Sequence, residues 1–172
     1  VSSANCILFE RAKPIFVDID QSTYNIDITK VEETIRNLGS KAIKLKALLP
    51  VHVFGQPCDM NRIRDIAEKY NLKVIEDAAQ AHLAEYKDKK LGTIGDLGCF
   101  SFQSSKTLAC GEGGSITGND EELMDKCYTV HNHGTSRRGL TEVIGPKYRM
   151  NEFEAAVLLG QGDGVHERFK SR

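Results

Sequence analysis

Residues 73–82 read KVIEDAAQAH, a short β-rich apolar run that leads directly into a carboxylate and a polar turn. Other short apolar runs recur along the chain, and helical periodicities separate most of them. This alternation is typical of parallel strands joined by crossover helices. It predicts an α/β fold in which a mainly parallel sheet lies between layers of helices, as a three-layer sandwich. The predicted strands are residues 14–18, 47–53, 73–76, 98–102 and 115–117.

The predicted helices begin at side chains that can accept a hydrogen bond from the free backbone N–H groups of a first turn. The predicted N-caps are Thr29, Asp59, Asn119 and Asn151. Three of these precede a glutamate by three residues, which is the spacing of a capping box, with Glu32, Glu122 and Glu154 as the glutamates. Residues 132–147 contain several glycines and a proline without any period, which predicts a long loop.

The composition argues against several classes of protein. Lysine and arginine number 23 against 24 aspartates and glutamates, so the chain lacks the basic excess of a non-specific nucleic-acid binder. The five cysteines form no CxxC pair, which disfavours a zinc ribbon or a disulfide framework and predicts a reducing cytoplasm. No apolar run approaches the roughly 18 residues of a membrane span. We therefore expect a soluble cytoplasmic protein without nucleic-acid or membrane partners.

Polar residues that follow the apolar runs are the first candidates for a site, because ligands of open α/β sheets bind beyond the carboxyl ends of the strands. These residues are His52, Asp77 with Gln80, and Ser101, which leads to Lys106. Asp77 has two interpretations, since an aspartate before AAQA can cap a helix or can pair with a cation near a strand end. The residues alone leave both open.

Lys106 lies between an apolar run and a cluster of glycines. A single lysine is ordinarily a solvated surface residue. A lysine desolvated beside a strand end has a lowered pKa, however, and can form a Schiff base with an aldehyde cofactor. Ser101 and the glycine-rich backbone offer donors to a phosphate, although the glycines match neither a P-loop nor a dinucleotide-binding motif.

The histidines offer a weaker alternative. His131 and His133 are two residues apart and would share one face of a strand, but this is not a common zinc spacing and no cysteine or carboxylate cluster accompanies them. A metal-dependent enzyme therefore has little support. We expect His82 to line the site or the core rather than to act as a base.

Five segments, in this order and at this spacing, resemble the DegT/StrS sugar aminotransferase family of fold-type I pyridoxal-phosphate enzymes. They are PVHVFGQPCDM (50–60), VIEDAAQAH (74–82), GCFSFQSSKTLACGEGG (98–114), HNHG (131–134) and YRMNEFEAAVLLGQ (148–161). The resemblance runs over essentially the whole chain. It implies that residues 1–172 form part of the large cofactor-binding domain, and that an N-terminal segment and a small C-terminal domain are absent.

The resemblance also implies the roles of the site residues. Lys106 would be the Schiff-base lysine and Asp77 the partner of the pyridine nitrogen, so these two would be catalytic. Gln80 would contact the phenolic-oxygen side of the ring, and Ser101 would bind the phosphate of pyridoxal 5′-phosphate. The reaction implied moves an amino group from an amino acid, glutamate or glutamine, to a keto sugar linked to a nucleotide, in a homodimer. The sequence does not define the sugar or the position of its keto group.

Two residues depart from the family pattern. Leu83 stands where a glycine is usual, and Lys147 stands where a loop asparagine is usually contributed to the phosphate of the neighbouring subunit. Two further readings within the family stay open. One is a sugar dehydratase, in which a histidine replaces the lysine, and Lys106 argues against it. The other is a non-catalytic fragment or regulatory remnant.

Overall fold

A four-stranded sheet forms the centre of the structure, which is a computed structural model that describes residues 1–171. The strands along the chain are β1 Ala47–Leu48, β2 Lys73–Asp77, β3 Glu85–Tyr86, β4 Lys89–Lys90, β5 Leu97–Ser101 and β6 Gly114–Thr117. The sheet has the order β1-β2-β5-β6, with the first three strands parallel and β6 antiparallel to β5. β3 and β4 form a separate hairpin. The predicted α/β fold with a mainly parallel sheet is confirmed.

Helices precede, connect and follow these strands. The α-helices are α1 Ser2–Phe9, α2 Ile28–Asn37, α3 Met60–Lys69, α4 Glu121–His131, α5 Glu152–Gly162 and α6 Val165–Lys170, and 3-10 turns cover Gly39–Lys44 and Val53–Gly55. Within residues 1–171, none of the helices has the length and apolar character that crossing a bilayer requires. α5 ends at Gly162, and Gly164 is the N-cap of α6.

The helices lie on both faces of the sheet. Side chains alternate across β2, so its residues show which helices cover each face. Val74 belongs to the buried core that α2 and α3 complete on one face. On the other face, Asp77 accepts a hydrogen bond from Ser3 of α1. Cys99, the neighbour of Asp77 in β5, lies close to Cys127 of α4 on that same face. The arrangement is the three-layer one that the sequence predicts.

The core lies between the sheet and the apolar faces of α2 and α3. Each buried side chain of the Val, Ile or Met type contributes about 1.5–3 kcal/mol relative to an exposed one. The side chains buried along these two helices are Ile28, Val31 and Ile35 of α2 and Met60, Ile63, Ile66 and Ala67 of α3. The spacing of three and four residues on each helix explains why one face of each is buried.

The strand predicted at residues 14–18 is wrong. This segment forms no ladder, and only an isolated bridge between Ile19 and Ile26 follows it. Pro14 has no N–H group to donate to a neighbouring strand, which disfavours pairing there. The strands predicted at residues 73–76, 98–102 and 115–117 agree with β2, β5 and β6 within one residue at each end.

The strand predicted at residues 47–53 is too long. Only Ala47–Leu48 pair as a strand, and Val51 makes a single bridge to Asp77. Pro50 interrupts the ladder because it lacks an N–H group, although its carbonyl still accepts a hydrogen bond from the N–H of Asp77. The chain then turns away from the sheet at Val53–Gly55.

Two of the four predicted N-caps are confirmed. Asp59 caps α3 by accepting from the N–H of Arg62, and Asn151 forms a complete capping box with Glu154. The other two caps are each displaced to an aspartate. Asp27 rather than Thr29 caps α2, and Asp120 rather than Asn119 caps α4. An ionised carboxylate accepts strong charge-assisted hydrogen bonds at the positive end of a helix, which favours the aspartate in each case.

Glu76 is a buried residue whose hydrogen bonds connect β2 to the segment after β1 and to the segment before β5. Its side chain is wholly buried, and His52 Nε2 lies 3.0 Å from its Oε2. The N–H groups of Gly92, Ile94 and Gly95 donate to its two carboxylate oxygens over 2.6–2.8 Å. Burial would raise the pKa of the Glu76 carboxyl, but the hydrogen bonds from His52 and the three backbone groups outweigh it and lower the pKa.

We predict that Glu76→Gln destabilises the protein by at least about 3 kcal/mol, because the amide loses the charge and turns an NH₂ group toward backbone donors. The urea midpoint measures this change. Glu68→Gln, at an exposed position of α3, is the matched control and should change stability by less than about 0.5 kcal/mol. Equal midpoints for the two variants would contradict the role of Glu76.

The same contacts predict a pH dependence. The pKa of Glu76 in the folded protein is lowered from its ordinary value of 4.5, so the carboxylate stabilises the fold fully above about pH 4.5. This stabilisation is lost as the pH falls through the lowered pKa, since the unfolded chain binds the proton first. Unfolding measured between about pH 5 and 2 should show a steeper loss of stability in the wild-type protein than in Glu76→Gln. Parallel curves of stability against pH for the two proteins would contradict the lowered pKa of Glu76.

Candidate active site

Asp77 is the last residue of β2 and lies at the carboxyl edge of the sheet. Its Oδ2 accepts a hydrogen bond of 2.6 Å from the hydroxyl of Ser3, and its Oδ1 accepts one of 3.1 Å from the N–H of Ala79. The chain after it continues in turns, not in a helix. The helix-cap interpretation of Asp77 is therefore wrong, and its carboxylate stands half-buried at a strand end.

Gln80 lies in the first turn after Asp77 and connects it to the loop after β1. Its side-chain oxygen accepts a 2.7 Å hydrogen bond from the N–H of Phe54. With the oxygen engaged in this way, the amide NH₂ of Gln80 is the group left to donate to a ligand. The backbone of Gly55 also lies close to that of Gln80. A Cβ atom added at Gly55 would lie 3.1 Å from the Gln80 carbonyl oxygen, and the φ of +82° at Gly55 favours glycine there.

Phe54 is held in an unusual conformation at this point. Its φ of 54° lies in the left-handed region, and the residue is 88% exposed. A left-handed conformation costs a residue other than glycine about 1–2 kcal/mol, and such strain is found where the surrounding contacts fix the backbone. Here the hydrogen bond to Gln80 provides such a contact.

Lys106 and Gln80 line one cleft. The cleft has a volume of about 450 Å³ and is lined by Phe54, Gly55, Gln80, His82, Ala84, Ser105, Lys106, Thr107 and Phe169. The backbone N–H of Lys106 closes a turn by donating to the carbonyl of Gln103 at 2.9 Å. The side-chain oxygen of Gln103 in turn accepts from both the N–H and the hydroxyl of Ser105. The loop that carries Lys106 is thus shaped by its own hydrogen bonds.

Ser101 lies at the carboxyl end of β5, on the same face of the sheet as Asp77. Asp77 is opposite Cys99, so Ser101 follows two residues further along the same face. The Ser101 oxygen accepts from the N–H of Gln103 at 3.3 Å, which leaves the hydroxyl proton available to a ligand. The structure therefore places Lys106 and Gln80 in the cleft, and Asp77 and Ser101 at the ends of the two adjoining strands.

His82 is packed between two phenylalanines. Its ring centroid lies 5.6 Å from that of Phe100 and 5.8 Å from that of Phe102. Burial lowers the pKa of His82, with a smaller effect in the same direction from Lys106, while the main chain of Ser101 acts in the opposite direction. Neither ring nitrogen has a hydrogen-bond partner within residues 1–171. His82 thus lines the cleft as a largely buried residue, in the place that the sequence predicts.

The remaining histidines lie elsewhere. His52 is wholly buried against Glu76 and supports the strand ends rather than the cleft. His131 is the last residue of α4, and its Nδ1 lies 2.6 Å from the carbonyl of Tyr128. The premise that His131 and His133 share a face of a strand is therefore wrong. Within the part of the chain that the structure describes, no group of three or more histidine, cysteine or acidic residues is placed to hold a metal.

A second, larger groove of about 550 Å³ contains none of the predicted site residues. It lies by the start of β2 and is lined by Arg64, Ala67, Glu68, Leu72, Val74, Ile94, Gly95, Asp96, Asn119 and Asp120. The carboxylate of Asp96 in it is already engaged by Lys73 at 2.7 Å and by the N–H of Val74 at 2.8 Å. The carboxyl edge of the sheet is the better candidate, because among residues 1–171 Asp77 has neutral hydrogen-bond donors and no cationic partner, and Lys106 lines the cleft beside it.

Sequence reasoning missed two residues of the site. Ser3 lies in α1, a helix without a start signal, and meets Asp77 across 74 residues of chain. Phe54 carries no sequence signal for its left-handed backbone.

Lys147, which departs from the family pattern, is exposed and pairs through its backbone with Asn132 in an isolated bridge.

This chain resembles the proteins of one known family of aminotransferases. The whole chain, residues 1–172, matches the sequence model described as the DegT/DnrJ/EryC1/StrS aminotransferase family. It is 40% identical to the GDP-perosamine synthase of Caulobacter vibrioides over 174 residues, which cover 100% of this chain and 45% of that protein. It is 43% identical over 159 residues to the dTDP-3-amino-3,6-dideoxy-alpha-D-galactopyranose transaminase of Aneurinibacillus thermoaerophilus, covering 92% of this chain and 42% of that one.

A solved structure agrees with these relatives. The aminotransferase from Psychrobacter cryohalolentis superposes with a TM-score of 0.89 at 35% identity, covering 96% of this chain and 44% of its own. The chain thus spans less than half the length of each of these three proteins. The superposition shows that the α/β architecture of this chain is that of part of a fold-type I aminotransferase.

The backbone of Leu83 yields a stability prediction, since its φ of 63° lies in the left-handed region. Alanine is ordinarily preferred to glycine, but here glycine avoids the strain. We expect Leu83→Gly to be more stable than Leu83→Ala by about 1 kcal/mol, measured by thermal or urea unfolding. The pair Leu48→Gly and Leu48→Ala, in β1, is the control and should show the ordinary order. An alanine variant as stable as the glycine variant at position 83 would refute the strain argument.

Proposed function

Because the chain belongs to the DegT/DnrJ/EryC1/StrS aminotransferase family, we propose that its protein is an aminotransferase that depends on pyridoxal 5′-phosphate. It moves an amino group from an amino acid, glutamate or glutamine, to a keto sugar linked to a nucleotide. One observation carries the proposal: Lys106 and Gln80 share a cleft at the edge of the sheet where Asp77 and Ser101 end their strands. The names of the relatives, a GDP-perosamine synthase and a dTDP-amino sugar transaminase, support the class of acceptor.

The residues present fit this cofactor. The cleft that Lys106 and Gln80 line has a volume of about 450 Å³, within the usual range of about 300–1,000 Å³ for small-molecule sites. Asp77 and Ser101 do not line it and lie at the adjoining strand ends. The cofactor requires a primary amine, an anion for its ring nitrogen, a donor for its ring oxygen and donors for its phosphate. Lys106, Asp77, Gln80 and Ser101 supply these in turn. Gln80 is suited to donate because Phe54 already occupies its oxygen.

When bound, pyridoxal phosphate supplies an aldehyde carbon that amines attack and a ring that takes up electron density. Lys106 would hold the cofactor covalently through Nζ and, once released by the amino donor, would move a proton at the substrate Cα. Asp77 would keep the proton on the ring nitrogen, since a carboxylate favours a neighbouring cation. Gln80 would orient the ring through its amide NH₂, and Ser101 would donate its hydroxyl proton to the phosphate.

The setting of this site is also part of the proposal. Residues 1–172 would form part of the large cofactor-binding domain of a cytoplasmic homodimer. Several large apolar side chains of the last third of the chain are exposed, including Leu140, Ile144, Tyr148, Phe153 and Leu159. A partner subunit that covered them would remove apolar surface from water, which favours association.

The covalent attachment at Lys106 provides the test of the function. We expect borohydride reduction of the complete gene product, loaded with pyridoxal phosphate, to leave a phosphopyridoxyl group on Lys106, because no other lysine among residues 1–171 lines the cleft. Peptide mapping by mass spectrometry locates the group. Lys106→Ala should abolish the label, whereas Lys126→Ala, which removes an exposed lysine paired with Glu122, should leave it unchanged. A label on another lysine would overturn the assignment, and no label at all would favour the non-catalytic remnant.

A further inference from the structure

The carboxylate of Asp77 is held from two sides. Ser3 donates its hydroxyl to Oδ2 at 2.6 Å, a short distance typical of a bond to an ionised acceptor. The N–H of Ala79 donates to Oδ1 at 3.1 Å. One bond comes from α1 and the other from the turn after β2, so together they fix the rotation of the carboxylate plane. The Ala79 bond alone would leave the side chain free to turn about its last torsion, which is broad for aspartate.

Tight packing of α1 does not explain the Ser3 contact. None of the residues of α1 is buried, and Leu8 and Phe9 at its end are 55% and 83% exposed. Ser3 nevertheless reaches a residue 74 positions away. The hydrogen bond therefore ties this weakly packed helix to the end of β2.

Asp77 has no cationic partner within residues 1–171. Its bonded neighbours are the hydroxyl of Ser3 and the N–H of Ala79, both neutral. The residue opposite it in β5 is Cys99, whose thiol has its pKa raised to about 11 by burial and by the Asp77 charge, and is therefore neutral. A half-buried carboxylate that is oriented by neutral donors, and that lacks a cation of its own, is prepared for a cation that arrives with a ligand.

We propose that Ser3 is a positioning residue, whose hydroxyl aims the Asp77 carboxylate at the pyridine nitrogen of the cofactor. The inference rests on the proposed function, which supplies that ring nitrogen. Ser3 does not touch the reacting atoms. Its effect passes through Asp77, so it should matter only for ligands whose ring can carry a proton at that position.

This dependence can be measured with two ligands. One is pyridoxal phosphate, and the other is its analogue in which a C–H group replaces the ring nitrogen. Their equilibrium dissociation constants are compared for the wild-type complete gene product and for Ser3→Ala, Ser3→Thr and Ser2→Ala. Ser3→Thr keeps the hydroxyl, and Ser2→Ala removes an exposed neighbouring hydroxyl as the matched control.

We expect Ser3→Ala to raise the dissociation constant of pyridoxal phosphate about fivefold to tenfold, and that of the analogue less than about twofold. Ser3→Thr and Ser2→Ala should bind both ligands as the wild type does. In an Asp77→Asn background, Ser3→Ala should have no further effect on pyridoxal phosphate, since the carboxylate that it positions is gone.

Three results would overturn the inference. Equal weakening of both ligands by Ser3→Ala would show a merely structural role, and no weakening of either would show no role. A wild-type protein that binds the two ligands equally would show that Asp77 does not meet the ring nitrogen. Failure of the wild type to bind pyridoxal phosphate at all would instead overturn the proposed function, and this inference with it.

Discussion

The buried carboxylate of Glu76 is the constraint on which the site depends. Moving an ionised carboxylate out of water is costly unless donors replace the lost hydration. Here those donors come from separate segments, which are His52 after β1 and the backbone at Gly92, Ile94 and Gly95 before β5. Because one charge requires all of them, the end of β1, the end of β2 and the segment that leads into β5 are held in one relative position.

This constraint explains how a short strand serves two purposes. Side chains alternate across β2, so Glu76 points into the core while Asp77, the next residue, points to the opposite face. The first carboxylate is saturated by hydrogen bonds and holds the fold, and the second keeps capacity for a ligand. Adjacent acidic residues thus have different roles because the sheet gives them different surroundings.

Two residues at the same edge have strained backbones, although such residues also occur elsewhere in the chain. Phe54 and Leu83 both have left-handed backbones, and they lie in the turns that follow β1 and β2. Such conformations persist only where other contacts determine the chain. Gln80 provides one of these contacts, because its side-chain oxygen binds the N–H of Phe54. The strained turns are the ones that shape the cleft next to Lys106.

The sequence by itself determined the α/β class and the candidate site residues, because both depend on local order. Alternating periodicities specify the elements, and polar residues directly after apolar runs must lie at strand ends, as Asp77 and Ser101 do. Tertiary structure alone decided which of two neighbouring residues caps a helix, as with Asp27 beside Thr29, and how far the strand before Pro50 extends. It also decided that Ser3 donates a hydrogen bond to Asp77 and that His52 is hydrogen-bonded to Glu76. The physical reason is that these partners are far apart in the chain, and no local pattern records which segments the fold brings together.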